Sequence, residues 1–109
     1  MKKLPIKDTT MAFSILGLGT GTGFNKDFGK SQKDFFHAFD ASLDSGVNWI
    51  DTAESYANNY AEDLIGNYSR VSKNNFYIAS KFSPINASKK LLRQACESSL
   101  KRLNAECID

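Results

Sequence analysis

The sequence predicts an α/β fold in which helices cover the outside of a parallel sheet. Short apolar runs alternate three times with amphipathic helical patterns, glycines or polar residues mark each change, and 109 residues make one domain. A crossover helix between successive strands implies parallel pairing with right-handed connections.

Leu4 to Ile15 reads as two short extended pieces around the polar Lys7-Asp8-Thr9-Thr10, a capping hairpin. Ser14-Ile15-Leu16-Gly17-Leu18-Gly19-Thr20 is an apolar run that breaks into glycines, as suits a buried strand whose end approaches a ligand or another backbone. Ser31 and Asp34 then make a capping-box-like start to a helix whose Phe35, Phe36, Phe39 and Leu43 recur at helical spacing until Gly46. Val47 to Thr52 is a second strand, and Ala61, Leu64, Ile65 and Tyr68 carry a second helix. Asn75 to Lys81 is a third strand. A third helix begins near Ser88 and places Leu92, Ala95, Cys96, Ser99, Leu100 and Leu103 on one side. It finishes with Lys101, Arg102 and Asn104, which suit a helix C-terminus, and Cys107-Ile108-Asp109 resumes an extended pattern.

Composition narrows the function classes. A hydrophobic content of 41% with 12% aromatics is that of a folded chain rather than a disordered one. The net charge of +2 is dispersed, and the basic pairs Lys89-Lys90 and Lys101-Arg102 form no stripe, which argues against nucleic-acid binding. No segment reaches the roughly 18 apolar residues of a membrane span, so a cytoplasmic protein without a membrane partner is expected. Cys96 and Cys107 have no metal-ligand company and read as small reduced hydrophobes; no metal site is expected. His37 reads as a surface or packing residue on the first helix.

In parallel β/α architectures, reactive groups collect where strands end. Asp51 closes the second strand, Tyr56 follows in the loop, and Lys81 closes the third, so the three can share one face. A phenol can donate a proton to a carbonyl oxygen, but its ordinary pKa of about 10 is too high for efficient transfer near neutrality. A neighbouring ammonium would supply the roughly 4 kcal/mol of phenolate stabilisation needed, and a carboxylate could orient that ammonium. Each residue also has a plainer reading: an aspartate capping a turn, a tyrosine half-buried in packing, a lysine in solvent.

The chain resembles the aldo-keto reductase family along nearly its whole length. Leu16-Gly17-Leu18-Gly19-Thr20 is similar to the family's first-strand motif. Gly46-Val47-Asn48-Trp49-Ile50-Asp51-Thr52-Ala53-Glu54-Ser55-Tyr56 resembles its most specific signature. Glu62, Leu64 and Gly66 fall on a helix motif, Ile78-Ala79-Ser80-Lys81 on the third-strand lysine motif, and Ser99-Leu100-Lys101-Arg102-Leu103 on a helix-end motif. The resemblance implies the N-terminal part of a (β/α)8 TIM barrel with an N-terminal β-hairpin, holding about three β/α units and the start of a fourth strand. Residues 1–109 are thus expected to form a partial domain, incomplete at the C-terminus, and inactive alone. In full-length form it implies NADPH-dependent reduction of aldehydes or ketones, with NAD as the alternative cofactor and a small carbonyl compound as substrate. Tyr56 would be the proton donor, Lys81 would lower its pKa and Asp51 would pair with Lys81. Gly19, Thr20 and Gly21, with Asp51, would lie near the nicotinamide. Ala57 and Asn59 stand where the family usually has glycines, and the histidine the family carries just beyond its fourth strand has no counterpart here. The oligomeric state is left open.

Two other readings compete. Gly23 through Gly29-Lys30-Ser31 nearly matches a phosphate-binding P-loop, with Trp49-Ile50-Asp51 as its partner strand, but five residues separate the glycines instead of four. The other is a non-catalytic fragment, or a regulatory or binding module of the same fold.

Overall fold

The polar turn folds the N-terminus back on itself: β1 (Lys3–Pro5) pairs antiparallel with β2 (Ala12–Ser14), Leu4 opposite Phe13. The computed structural model describes residues 1–109, apart from the side chain of Phe28. Within the turn, Asp8 adopts a left-handed backbone, φ 61°, which aspartate tolerates, and Thr9 Oγ1 donates to the Ile6 carbonyl at 2.9 Å.

Three parallel strands follow, β3 (Leu18–Gly19), β4 (Trp49–Asp51) and β5 (Tyr77–Ala79), in the order β3-β4-β5. They are shorter than the apolar runs that announce them. Ser14 belongs to the hairpin, and its hydroxyl donates to Leu16 O at 2.6 Å, so the chain bends and leaves Ile15 and Leu16 exposed before β3 begins. Asn48 fastens hairpin to sheet: its Oδ1 accepts Ser14 N–H at 2.7 Å and its Nδ2 donates to Ala12 O at 2.8 Å. No strand is assigned at 107–109, yet Asp109 N–H donates to Ile78 O at 3.0 Å and its Oδ2 accepts Ile78 N–H at 2.9 Å. The fourth strand is therefore present as a single rung against the free edge of β5.

Helix α1 (Gln32–Asp44) starts with the expected capping box, Ser31 and Asp34 satisfying each other's backbone donors. It gives way at Gly46, whose φ of 97° suits glycine alone. Helix α2 (Tyr60–Val71) buries Ala61, Leu64, Ile65 and Tyr68 as their spacing predicts. Helix α3 (Lys89–Leu103) is capped by Ser88, whose side chain accepts Leu91 N–H, and ends at Asn104 in the left-handed conformation.

Burial on α3 covers only part of the side that its spacing marks out. Only Ala95, Ser99 and Leu103, spaced four apart, are buried, so the inward stripe is one residue wide. Leu92 and Cys96 lie outside it. Both cysteines are free, as expected, but exposed rather than packed. His37 is exposed on α1. Among the described residues no helix is long and apolar enough to cross a membrane.

Strand alternation divides the sheet. Ile50 and Ile78 turn toward the helices and join Phe35, Phe39, Leu64 and Tyr68 in the core. Trp49 and Asp51, registered opposite Tyr77 and Ala79, point to the other face. At its lower end Phe13 seals that face, with ring centroids 5.9 Å from Trp49 and 4.8 Å from Tyr77. Its upper end carries the charges.

Candidate active site

Asp51 and Lys81 reach the same face because both follow the two-residue alternation of their strands, Asp51 at the end of β4 and Lys81 two residues beyond β5. The Lys81 Nζ donates to Asp51 Oδ1 at 2.7 Å and to the Thr52 carbonyl at 2.8 Å. It also stands 5.0 Å from the centroid of the Tyr56 ring. The three residues singled out in the sequence are thus brought together at the C-terminal ends of the strands.

The loop that delivers Tyr56 is tightly wound. Tyr56 N–H donates to Ala53 O at 3.1 Å, and Ala57, Asn58 and Asn59 all take left-handed backbones, with φ of 49°, 54° and 72°. Asparagine tolerates this conformation, whereas alanine adopts it at a cost of about 1 kcal/mol. The loop therefore keeps a glycine-like path without glycine. Electrostatically, partial desolvation opposes the charge on Lys81. The hydrogen bond to Asp51, followed by that with Tyr56, outweighs it, and the lysine pKa lies above its ordinary value. At neutral pH the amine carries its proton.

Gly19, Thr20 and Gly21 lie beside this group. Gly19 is registered with Asp51, and a side chain there would meet nothing within 4 Å. Gly21 faces Tyr56, its hypothetical Cβ 3.9 Å from the ring. Thr20 is fully buried, and both its N–H and its hydroxyl donate to the Asp51 carbonyl, at 2.9 and 3.0 Å. Its side chain is committed to holding β3 against β4. A cleft of about 550 Å³ opens between Gly21, Thr22, Asn25, Ser55, Tyr56 and Ala57. This bare backbone beside a charged group is compatible with a flat cofactor ring. Among the described residues no cluster of three His, Cys, Asp or Glu side chains is placed to hold a metal ion.

The segment that resembles a P-loop has other uses. Lys26–Phe28 forms a 3-10 turn, and the Ser31 hydroxyl is bonded to the Asp34 carboxylate at 2.7 Å. Hydrogen bonds from the Ser31 side chain and backbone hold the Asp34 pKa below that of an ordinary aspartate. An ionised carboxylate in the first turn repels the phosphate a P-loop would bind there.

Sequence reasoning missed a buried polar network behind the site. Glu62, fully buried on α2, accepts Arg102 Nε–H at 2.7 Å and the Ser80 hydroxyl at 2.6 Å. Arg102 Nη2 donates to Ser99 Oγ at 3.1 Å and lies 4.0 Å from Glu54 Oε2. Glu54 Oε1 accepts the Ser83 N–H and, at 2.7 Å, Asn86 Nδ2. A sequence signal existed, since two acids and an arginine at otherwise apolar helix and loop positions need partners if buried.

The sequence profile of the Aldo/keto reductase family matches residues 15–109. Methylglyoxal reductase YeaE of Escherichia coli (strain K12) is 33% identical over 96 residues, covering 88% of this chain and 34% of that protein. Aldo-keto reductase YhdN of Bacillus subtilis (strain 168) is 30% identical, covering 100% of this chain and 36% of that protein. Among solved structures, an aldo-keto reductase from Klebsiella pneumoniae in complex with NADPH superposes with a TM-score of 0.78 at 34% identity, over 90% of this chain and 34% of that one. The chain spans about a third of the length of the curated relatives it matches. Its hairpin and three β/α units are the N-terminal part of a (β/α)8 barrel, and the chain belongs to the aldo/keto reductase family.

Proposed function

We propose that residues 1–109 are the N-terminal part of a reductase barrel and supply the proton-donating side of its site. The reaction is reduction of an aldehyde or ketone to an alcohol with NADPH, NADH being the alternative cofactor. The observation that supports this reading most is the Lys81 amine, 2.7 Å from Asp51 and 5.0 Å from the Tyr56 ring centroid, at the mouth of a parallel sheet.

The dihydronicotinamide, when bound, supplies the hydride that reaches the carbonyl carbon. Tyr56 gives its hydroxyl proton to the carbonyl oxygen as the C–O double bond becomes single, and the phenolate left behind is stabilised by the charged Lys81. Asp51 holds Lys81 in place and keeps it protonated. Gly19 and Gly21 leave the strand end bare for the nicotinamide, while Thr20 fixes that end to Asp51.

The test uses the barrel of which these residues form part, with methylglyoxal as a first substrate because one relative bears that name. Tyr56→Phe is expected to lower kcat at least about a hundredfold while leaving NADPH affinity nearly unchanged. Equal loss of both would make Tyr56 a packing residue and leave the non-catalytic reading in place.

A further inference from the structure

Every polar group of Glu54 is engaged, and all but one of its partners belong to the chain around Lys81 or to the core behind it. Its N–H donates to the Lys81 carbonyl at 3.0 Å. Its Oε1 accepts the backbone N–H of Ser83, two residues past Lys81, and Asn86 Nδ2 at 2.7 Å. Its own carbonyl accepts Asn59 Nδ2 at 2.8 Å, which ties down the left-handed loop after Tyr56. The carboxylate is buried, 8% exposed, with Oε2 4.0 Å from Arg102 Nη2. Arg102 in turn bonds Glu62, and Glu62 holds the Ser80 hydroxyl immediately before Lys81.

Besides the Lys81 amine itself, which reaches Asp51, the Thr52 carbonyl and the Tyr56 ring, Glu54 is what ties the segment from Asp51 to Tyr56 to the backbone from Lys81 to Ser83. Loosening that junction leaves the hairpin and the ring contacts between α1 and α2 untouched, because none of the contacts just described involves them. What would change is where the Lys81 backbone starts, and hence whether its amine reaches Asp51 and the Tyr56 ring. We propose that Glu54 is a positioning residue for Lys81, clamping the lysine's backbone against the Asp51–Tyr56 segment, with Arg102 and Glu62 anchoring the clamp to α2 and α3. The proposal rests on the reading of Asp51, Tyr56 and Lys81 as the reactive group.

The test follows the lysine side chain itself. The chain, labelled with ¹³C at the lysine ε-carbons, is titrated by NMR, and Lys81 is assigned with Lys81→Arg. In the unmodified chain Lys81 is expected to titrate above the other lysines. Glu54→Ala should bring it down among them, leave Lys26 over the Tyr60 ring unmoved, and expose the Ser83 amide to faster hydrogen exchange. Glu54→Gln keeps an acceptor for Ser83 and Asn86 and should restore most of the Lys81 behaviour. If Glu54→Ala unfolds, Asn86→Ala removes one of the two donors to the carboxylate and should give a smaller shift of the same sign. A Lys81 titration unchanged in the folded Ala variants overturns the positioning role but leaves the reactive group standing. Lys81 titrating with the other lysines in the unmodified chain overturns both.

Discussion

The two helix seams of this molecule are built from different materials. Between α1 and α2 the gap is filled by rings: Phe36 and Phe39 lie with centroids 5.3 and 4.9 Å from Tyr68, and Phe24 stacks on Phe39 at 5.2 Å. Between α2 and α3 the backbones nearly touch. A side chain at Gly66 would run into the Arg102 carbonyl oxygen and the Leu103 backbone, and the same seam holds the buried Glu62 against the half-buried Arg102. The difference shows that aromatic side chains set one spacing, whereas the absence of a side chain sets the other. A seam of rings can relax by moving side chains; a seam of backbones can relax only by moving helices. The close seam also carries the arginine that anchors the loop beside Lys81, so its spacing bears on the site.

The largest effect should come from emptying the aromatic seam. Phe39 is fully buried, and Phe39→Ala is expected to cost about 3–5 kcal/mol, whereas Phe39→Leu should cost less than about 1.5 kcal/mol because neighbouring rings can close in. Urea unfolding midpoints of the two variants would measure this. Equal losses would show that the seam is as rigid as its neighbour.

Adding one carbon to the close seam comes next. Gly66→Ala should cost about 3 kcal/mol, the upper end for overpacking, since the obstacle is backbone rather than a mobile side chain. It should also perturb the amide resonances of Ser80 and Ser83, because Arg102 would shift with α3 away from Glu62 and Glu54. A variant as stable as the parent would mean the helices can slide apart, and the contrast between seams would disappear.

The smallest effect tests the phenol hydroxyl in the aromatic seam. Tyr68 is buried, and its hydroxyl donates to the exposed Asp40 carboxylate at 2.6 Å. Burial, then that hydrogen bond, raises its pKa above the ordinary tyrosine value. A raised folded-state value makes the neutral phenol's contribution complete below the ordinary tyrosine pKa of about 10 and lost as pH climbs through the folded value. Tyr68→Phe should therefore cost about 0.5–1.5 kcal/mol at neutral pH and reduce the alkaline loss of stability. Thermal melts at neutral and alkaline pH separate the two contributions.

Much of the fold was legible residue by residue. Phe35, Phe39, Leu64, Ile65 and Tyr68 sit where helical spacing put them, because a helix with one apolar stripe can bury it in only one direction. The capping box at Ser31 and the glycine at position 46 are local chemistry, and both fold as read. Strand length was misread, since Ser14 could belong to the hairpin or to the first parallel strand, and the choice depends on Asn48, thirty-four residues away. On α3, Leu92, Ala95, Cys96 and Ser99 do share one side, but helical spacing could not tell which of them α2 would cover: α3 approaches α2 closely, and only Ala95, Ser99 and Leu103 are buried.

For the site, residue order alone puts Asp51 and Lys81 at strand ends, and alternation gives them one face once β4 and β5 pair in the observed register. Packing across the chain brings the Lys81 amine to 2.7 Å from Asp51, carries Tyr56 to it through a left-handed loop lacking glycine, and sets Glu54 between the two segments. The physical reason is range. A strand's alternation depends on neighbouring residues, whereas a carboxylate buried beside an arginine forty-eight positions away acquires its role only when α3 has packed on α2.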